Sequence, residues 1–294
     1  MNADRPPRPH VSRLYRYPVK GLTPEELPEV TLRAGEAVPG DRMFALARPD
    51  TEFDEDNPRA LPKTRFVMLQ KDAVLARVRS SYDPSTGVLT FGPADGGPEQ
   101  TRRADLATAA GRAELEKFVA ELVGPELGGQ PRLVEARGSH RFTDAGSAGA
   151  ELMHAVSVVN LASVRDLADR IGVPVDPLRF RANIYLDGLA PWSELSWPGS
   201  EIGLGGVRVR ALVAIPRCAA TAVNPATGER DIRMLRELAD HYGHTNCGVY
   251  VTVLTGGTLR PGDPIDPPAA APDEHTRDGR RAREGREERE GDTR

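Results

Sequence analysis

Cys218 ends the segment Val207-Arg208-Val209-Arg210-Ala211-Leu212-Val213-Ala214-Ile215-Pro216-Arg217-Cys218, and it is the first residue here that could do chemistry. The alternating part of this segment reads as a strand. Pro216 should stop it, since proline has no ladder donor. Arg217 then sets a permanent positive charge beside the thiol, which favours thiolate, the form that attacks electrophiles or binds metal. The same residues also suit a buried, inert cysteine. A second group, His241, His244 and Cys247, has the spacing H-x2-H-x2-C, and zinc could take it with Cys218 as fourth ligand. Against zinc, Gly243 should end a helix between the two histidines, and the paired Cys-x2-Cys knuckle is absent. Asn160 and Ser163 stand at a strand-to-helix junction, where free backbone donors and the helix dipole favour an anion, but Asn160 is equally a helix cap.

The elements that must position these groups are mostly strands. Val11 to Tyr17, Glu29 to Arg33, Met43 to Arg48, Phe66 to Gln70, the alternating Val74, Ala76 and Val78, and Val88 to Phe91 read as a hairpin-rich β region. Leu115, Phe118, Val119 and Leu122 fall at helical spacing before the stop Gly124-Pro125. Arg137 to Gly149 is rich in Gly and Ser and reads as a loop or domain junction. A strand from Ala155 to Val159 then leads through Asn160 into a helix whose apolar stripe is Leu161, Val164, Leu167, Ala168 and Ile171. Strands follow at Asn183 to Asp187, Glu201 to Gly203, Val207 to Ile215 and Val249 to Leu254, with a helix from Ile232 to Tyr242. From Pro267 the chain turns to Arg, Glu, Asp and Gly, too polar to offset its ordering entropy, and reads as a disordered tail over 267–294.

Composition narrows the function classes. The net charge of -4 argues against a general nucleic-acid surface, and aromatics at 5% leave little for stacking single strands. Two cysteines cannot build a disulfide framework, so a reducing cytoplasmic compartment is expected. No apolar run approaches the ~20 residues that span a bilayer, and Met1 to Pro9 has no apolar core of a signal peptide, so no membrane association is expected. Gly203-Leu204-Gly205-Gly206 is a hairpin turn rather than a dinucleotide fingerprint, and neither a Walker loop nor a Gly-x-Ser-x-Gly elbow occurs.

An ordered series completes the reading: Tyr17-Pro18-Val19-Lys20-Gly21, Gly40-Asp41-Arg42, Phe180-Arg181-Ala182-Asn183-Ile184, Cys218, Gly248-Val249-Tyr250, and Thr258 to Pro264. In this order the set resembles the MOSC family, named for the C-terminal domain of molybdenum cofactor sulfurase, over about residues 10–266. The N-terminal part is similar to the β-barrel domain that precedes MOSC in the amidoxime-reducing component. The resemblance implies a mainly β fold with a few helices (α+β): a MOSC N-terminal β-barrel domain over 10–130, then a MOSC β-barrel domain over 150–266. It implies the molybdenum cofactor in its molybdopterin form, with Cys218 as protein ligand to molybdenum; a soft thiolate suits that metal. Lys20, Gly21, Arg42, Asn160, Ser163, Arg181, Asn183, Arg217 and Tyr250 are the implied cofactor contacts. Arginine suits an anionic cofactor end through its bidentate fork. Gly21 stands where relatives often carry serine, and Ala182 where they often carry proline.

The implied activity is reduction of small N-oxygenated compounds. Four thiolates for an iron–sulfur cluster are lacking, as are flavin and nicotinamide motifs, so a ferredoxin or flavoprotein reductase is the expected electron donor. Pyridoxal phosphate binding is a property of the wider family; the domain that carries it in the full sulfurase has no counterpart here. A competing reading is a carrier that holds the cofactor, or sulfur as a persulfide on Cys218, without turnover. A third is a β-rich binding module with an inert Cys218.

Overall fold

The computed structural model describes residues 8–146 and 149–268. Its strands are β1 (His10–Arg16), β2 (Glu25–Glu26), β3 (Val30–Leu32), β4 (Phe44–Ala47), β5 (Val78–Asp83), β6 (Val88–Pro93), β7 (Arg102–Asp105), β8 (Arg132–Glu135), β9 (Val156–Asn160), β10 (Ile184–Asp187), β11 (Glu201–Leu204), β12 (Val207–Pro216), β13 (Asn246–Thr255), β14 (Gly257–Leu259) and β15 (Ile265–Asp266). The helices are α1 (Ala109–Val123), α2 (Ala150–Met153), α3 (Leu161–Ile171) and α4 (Met234–Tyr242). The architecture is mainly β, as expected. Of the expected tail, residues 269–294 lie outside the described residues. Among the described residues no helix is long and apolar enough to cross a membrane.

An eight-stranded sheet runs in the order β15-β11-β12-β13-β9-β10-β1-β2. Its pairs are antiparallel except β9 with β10, which α3 joins. Strand β1, from the start of the chain, is stitched to β10 through His10–Asp187 and Leu14–Ile184, so the two halves of the sequence share one sheet. Strands β3 and β14 repeat the join. One face of the sheet packs Val11, Leu14, Val158, Ile184, Val209 and Val251 into a core. Tyr15, Tyr17, Val159, Phe180 and Tyr185 form another, covered by Leu167 of α3 and Leu238 of α4. A third core fills the β5-β6-β7 sheet against Leu115 and Val119 of α1.

Local chemistry explains most boundaries. The β12 burial alternates through Val207, Val209 and Ala211, with Arg208 and Arg210 outward, as period two requires. Thr108 caps α1 by accepting from the Gly111 N–H at 3.0 Å. Gly248 in β13 approaches β9 so closely that a Cβ would lie 2.3 Å from the Val158 carbonyl oxygen, and its φ of +78° suits glycine. Two expected strands are absent. Ala73–Arg77 is a 3-10 helix rather than a strand, because Asp72 turns the chain by accepting from the Met68 N–H at 3.0 Å while pairing with Arg48 at 2.5 Å. Of Phe66 to Gln70 only Phe66 makes a bridge, to Ala47, before the chain turns.

The β9–α3 junction is built on Glu194, which is fully buried. Asn160 caps α3 at the Ala162 N–H (3.0 Å) and donates to the Glu194 carboxylate at 3.2 Å. The Ser163 hydroxyl donates to the same carboxylate at 2.9 Å and accepts from the Trp192 N–H at 2.8 Å. Burial pushes the Glu194 carboxyl upward, although these donors pull the other way. Truncating it would leave buried donors without an acceptor. Glu194→Ala should therefore lower the unfolding free energy by about 2–4 kcal/mol, and Asn160→Ala by about 1–2 kcal/mol, in urea denaturation. A loss below about 0.5 kcal/mol for Glu194→Ala would contradict this role.

Candidate functional site

Cys218 follows the end of β12 and opens a short 3-10 turn, Ala219–Ala222. Its carbonyl accepts from the Thr221 N–H at 3.1 Å and hydroxyl at 2.9 Å, which fixes the turn and leaves the thiol free and partly exposed. The thiol faces a cavity of about 400 Å³. Six basic residues line this space: Lys20, Arg42, Lys63, Arg179, Arg181 and Arg217. Asp144 is the one carboxylate in the lining. Asp41 and Asp231 stand behind it, paired with Arg42 and Arg179.

Each cation is held differently. Lys20, nearly buried, donates to the Phe142 carbonyl at 3.0 Å and pairs with Asp144. Burial pulls its ammonium below the ordinary lysine value, and Asp144 offsets part of this. Lys63 pairs with the other oxygen of Asp144 at 3.5 Å. Burial lowers Lys63 too, but Asp144 and the Cys218 sulfur outweigh it and hold the ammonium above its usual range. Burial would raise Asp144; the positive charges of Lys20, Lys63 and Arg42 prevail and hold it below the usual carboxylate range. Arg179 is clamped by Asp231 at 2.7 and 2.8 Å. Arg217 spends its donors on the Cys247 and Phe180 carbonyls, both at 2.8 Å, and so joins β13 to the segment before β10.

Arg42 and Arg181 share Tyr17. Their guanidinium carbons lie 5.0 and 4.3 Å from its ring centroid. Tyr17 is wholly buried, its N–H donates to Asp41 at 2.8 Å, and its hydroxyl donates to the Ala182 carbonyl at 3.2 Å. Burial pushes its phenol up to about 12, so it stays neutral between two cations. Arg42 and Arg181 both have φ of +50°, and Trp192 is the only other non-glycine residue with positive φ among the described residues. Such a conformation costs on the order of 1–3 kcal/mol and marks places where structure is held for use. Arg42 also donates to the Arg181 carbonyl at 3.3 Å. The Arg181 guanidinium makes no hydrogen bond or ion pair among the described residues, and burial together with Arg42 lowers its affinity for its proton.

The structure thus gathers seven of the expected site residues, Lys20, Gly21, Arg42, Arg181, Arg217, Cys218 and Tyr250, around one cavity. Gly21 has φ of +89°, and a Cβ there would meet Leu75 at 3.1 Å. Asn183 lies just behind, beside Arg42 and Tyr250. Its amide is occupied: it accepts from Ser157 at 2.8 Å and donates to the Tyr15 carbonyl at 3.2 Å, pinning β1, β9 and β10. Asn160 and Ser163 are not brought to the cavity. Both are fully buried and bonded to Glu194, away from the residues that line it. The alternative zinc ligands His241, His244, Cys247 and Cys218 do not form a cluster. Cys247 is fully buried in the core and its thiol is pushed up to about 12, while His244 accepts from the Asn246 N–H at 3.2 Å. No cluster of three metal-ligating side chains occurs among the described residues.

Sequence reasoning missed Tyr17, Lys63 and Asp144. Tyr17 opens the Tyr17-Pro18-Val19-Lys20-Gly21 motif, and a tyrosine at a strand end suits the core as well as a site. Asp144 lay in the Gly- and Ser-rich stretch read as a junction, where the aspartate had no local pattern to mark it.

Residues 8–123 match the MOSC N-terminal beta barrel domain and residues 137–266 match the MOSC domain. A stretch of 122 residues is 30% identical to the mitochondrial amidoxime reducing component 2 of Bos taurus, covering 37% of this chain and 36% of that protein. Over 120 residues the chain is 31% identical to the mitochondrial amidoxime-reducing component 1 of Mus musculus, covering 37% of this chain and 35% of the relative. Over 101 residues it is 33% identical to the molybdenum cofactor sulfurase of Drosophila willistoni, covering 33% of this chain and 12% of that one. The matched stretch therefore spans little more than a third of the first two relatives. The solved YuaD protein from Bacillus subtilis is similar with a TM-score of 0.39 and 13% identity over 88% of this chain and 94% of its own. With both halves matched in sequence order, the chain belongs to the MOSC family, a MOSC domain preceded by a MOSC N-terminal β-barrel domain.

Proposed function

We propose that this protein is a molybdenum-cofactor-binding oxidoreductase that reduces N-oxygenated compounds with electrons from a separate donor protein. Relatives named for amidoxime reduction and for molybdenum cofactor sulfuration support a function tied to that cofactor. The observation that carries the reading is the pairing of one partly exposed thiol with a cavity where six basic residues face one carboxylate. Such a space needs an anion, and the Arg181 guanidinium has no acceptor of its own among the described residues. The donor set fits a group with an anionic end and a metal that accepts a thiolate.

In this reading Cys218 holds the metal. Arg181, Lys20 and the Gly21 backbone hold the anionic end. Arg42 keeps Arg181 in place through Tyr17 and through the Arg181 carbonyl. When bound, the cofactor supplies two-electron redox chemistry and oxygen acceptance. The overall reaction takes two electrons and two protons, converts N–OH to N–H and releases water. Lys63, on Asp144 and beside Cys218, keeps positive charge at the site's edge. A ferredoxin or a flavoprotein reductase is the donor class this requires.

Two outcomes are expected. Arg181→Gln should lower the pterin retained by purified protein by at least about tenfold, since it removes a charge-assisted contact worth about 1.5–3 kcal/mol, while Arg208→Gln, far out on β12, should leave retention unchanged. Retention equal to wild type in Arg181→Gln would contradict the anion role. Metal-loaded protein should also oxidise a reduced viologen dye when given benzamidoxime or hydroxylamine. Full loading without any N-hydroxy-dependent dye oxidation would favour the carrier reading instead.

A further inference from the structure

Beyond Arg179 and Arg181 the cleft continues into a second cavity of about 770 Å³. The two spaces share Gly21, Leu69, Arg179, Arg181 and Ala220 as a common wall. Past that wall the lining becomes aliphatic: Leu22, Ala76, Leu178, Val223 and Pro225. Leu22, Ala76 and Val223 belong to the core behind it, so these apolar surfaces are fixed in place. Of the charged groups that line this cavity alone, Arg77, Arg79 and Asp95 are engaged, and Glu229 is exposed on the 225–229 turn. Arg77 pairs with Asp95 at 3.3 Å, both exposed, and Arg79 donates to the Ala94 carbonyl at 3.0 Å. Nothing aromatic lines it among the described residues, so a nucleobase would find no ring to stack on. Its volume lies in the range of small-molecule sites, which are mostly apolar with a few placed polar groups.

The proposed chemistry uses only the wall that this space shares with the first cavity, where Arg181 stands; Lys20, Arg42, Lys63 and Arg217 line the Cys218 side alone. We propose that the second cavity receives the hydrocarbon body of the substrate and selects N-oxygenated compounds that carry an extended apolar group. This rests on the reductase reading. The polar N–OH end would stand toward Cys218, and the apolar end would lie against Leu22, Leu178 and Val223. The aliphatic stem of Arg181 can cover such a body while its head stays with the anion.

The test compares wild type with Ala76→Phe, which fills the cavity from its wall, and Ala226→Trp, which fills it from an exposed turn and so puts little demand on the fold. Metal-loaded full-length protein is assayed with hydroxylamine and with para-hexylbenzamidoxime. The expected result is a kcat/KM for the alkyl compound at least about tenfold lower in a folded variant, carried by KM, with hydroxylamine within about twofold. Equal effects on both substrates, or on neither, would overturn the proposal. Calorimetric titration with para-hexylbenzamidine, which needs no turnover, separates the two ideas. If binding to wild type weakens about tenfold in Ala226→Trp but no N-hydroxy compound is reduced, the cavity assignment stands and the reductase reading falls. No binding to wild type, or equal binding in both variants, overturns the cavity assignment. A nucleotide on the released cofactor would also overturn it, since the nucleotide would then claim the space.

Discussion

Two guanidinium groups resting on one buried phenol ring are the constraint around which this cleft is arranged. Arg42 and Arg181 come from opposite halves of the chain, and both have left-handed backbone where they stack on Tyr17. Each stacking contact contributes about 0.5–2 kcal/mol, comparable to the strain at each residue. The arrangement therefore adds little net stability and instead fixes position. Asp41 pairs with Arg42 and reaches Arg181 only at a distance, so among the described residues the stack delivers one positive charge without an ion-pair partner to the cavity. Burial of Tyr17 makes this work, because a phenolate there would neutralise the site from within.

The sheet explains how groups so distant in sequence meet. Pairing β1 with β10 carries Tyr17, and just beyond it Lys20, beside Arg181. Arg217 ties β13 to the Phe180 carbonyl and thereby sets the end of β12, where Cys218 emerges. The two family domains are thus continuous through one sheet, and the cavity lies where their loops converge. Asn183 performs the same service from below by joining three strands through a single amide.

Much of this was legible in the sequence, for physical reasons. Alternation marked β12, a proline marked its end, and a basic neighbour marked the thiol. Cys218, Lys20, Arg42 and Arg181 were found through an ordered motif series rather than through local pattern, since a lone arginine in an arginine-rich chain carries little information. What failed was nonlocal. Asn160 and Ser163 had the residue types and position of an anion site, but Glu194 claims both, and nothing near Asn160 announces that partner. The Val74, Ala76, Val78 alternation gave way to a 3-10 helix because Asp72 closes a turn with Met68 and Arg48. Asp144 was hidden in a segment whose composition spoke only of a loop.

The most direct test is the molybdenum content of wild type and Cys218→Ser, both purified from cells that make the cofactor. The account predicts near-stoichiometric molybdenum in wild type and its loss in the variant, with thermal unfolding unchanged because the thiol is partly exposed and supports no core. Folded wild-type protein free of molybdenum under those conditions, or a variant that retains it fully, would contradict the assignment of Cys218 as the residue that holds the metal.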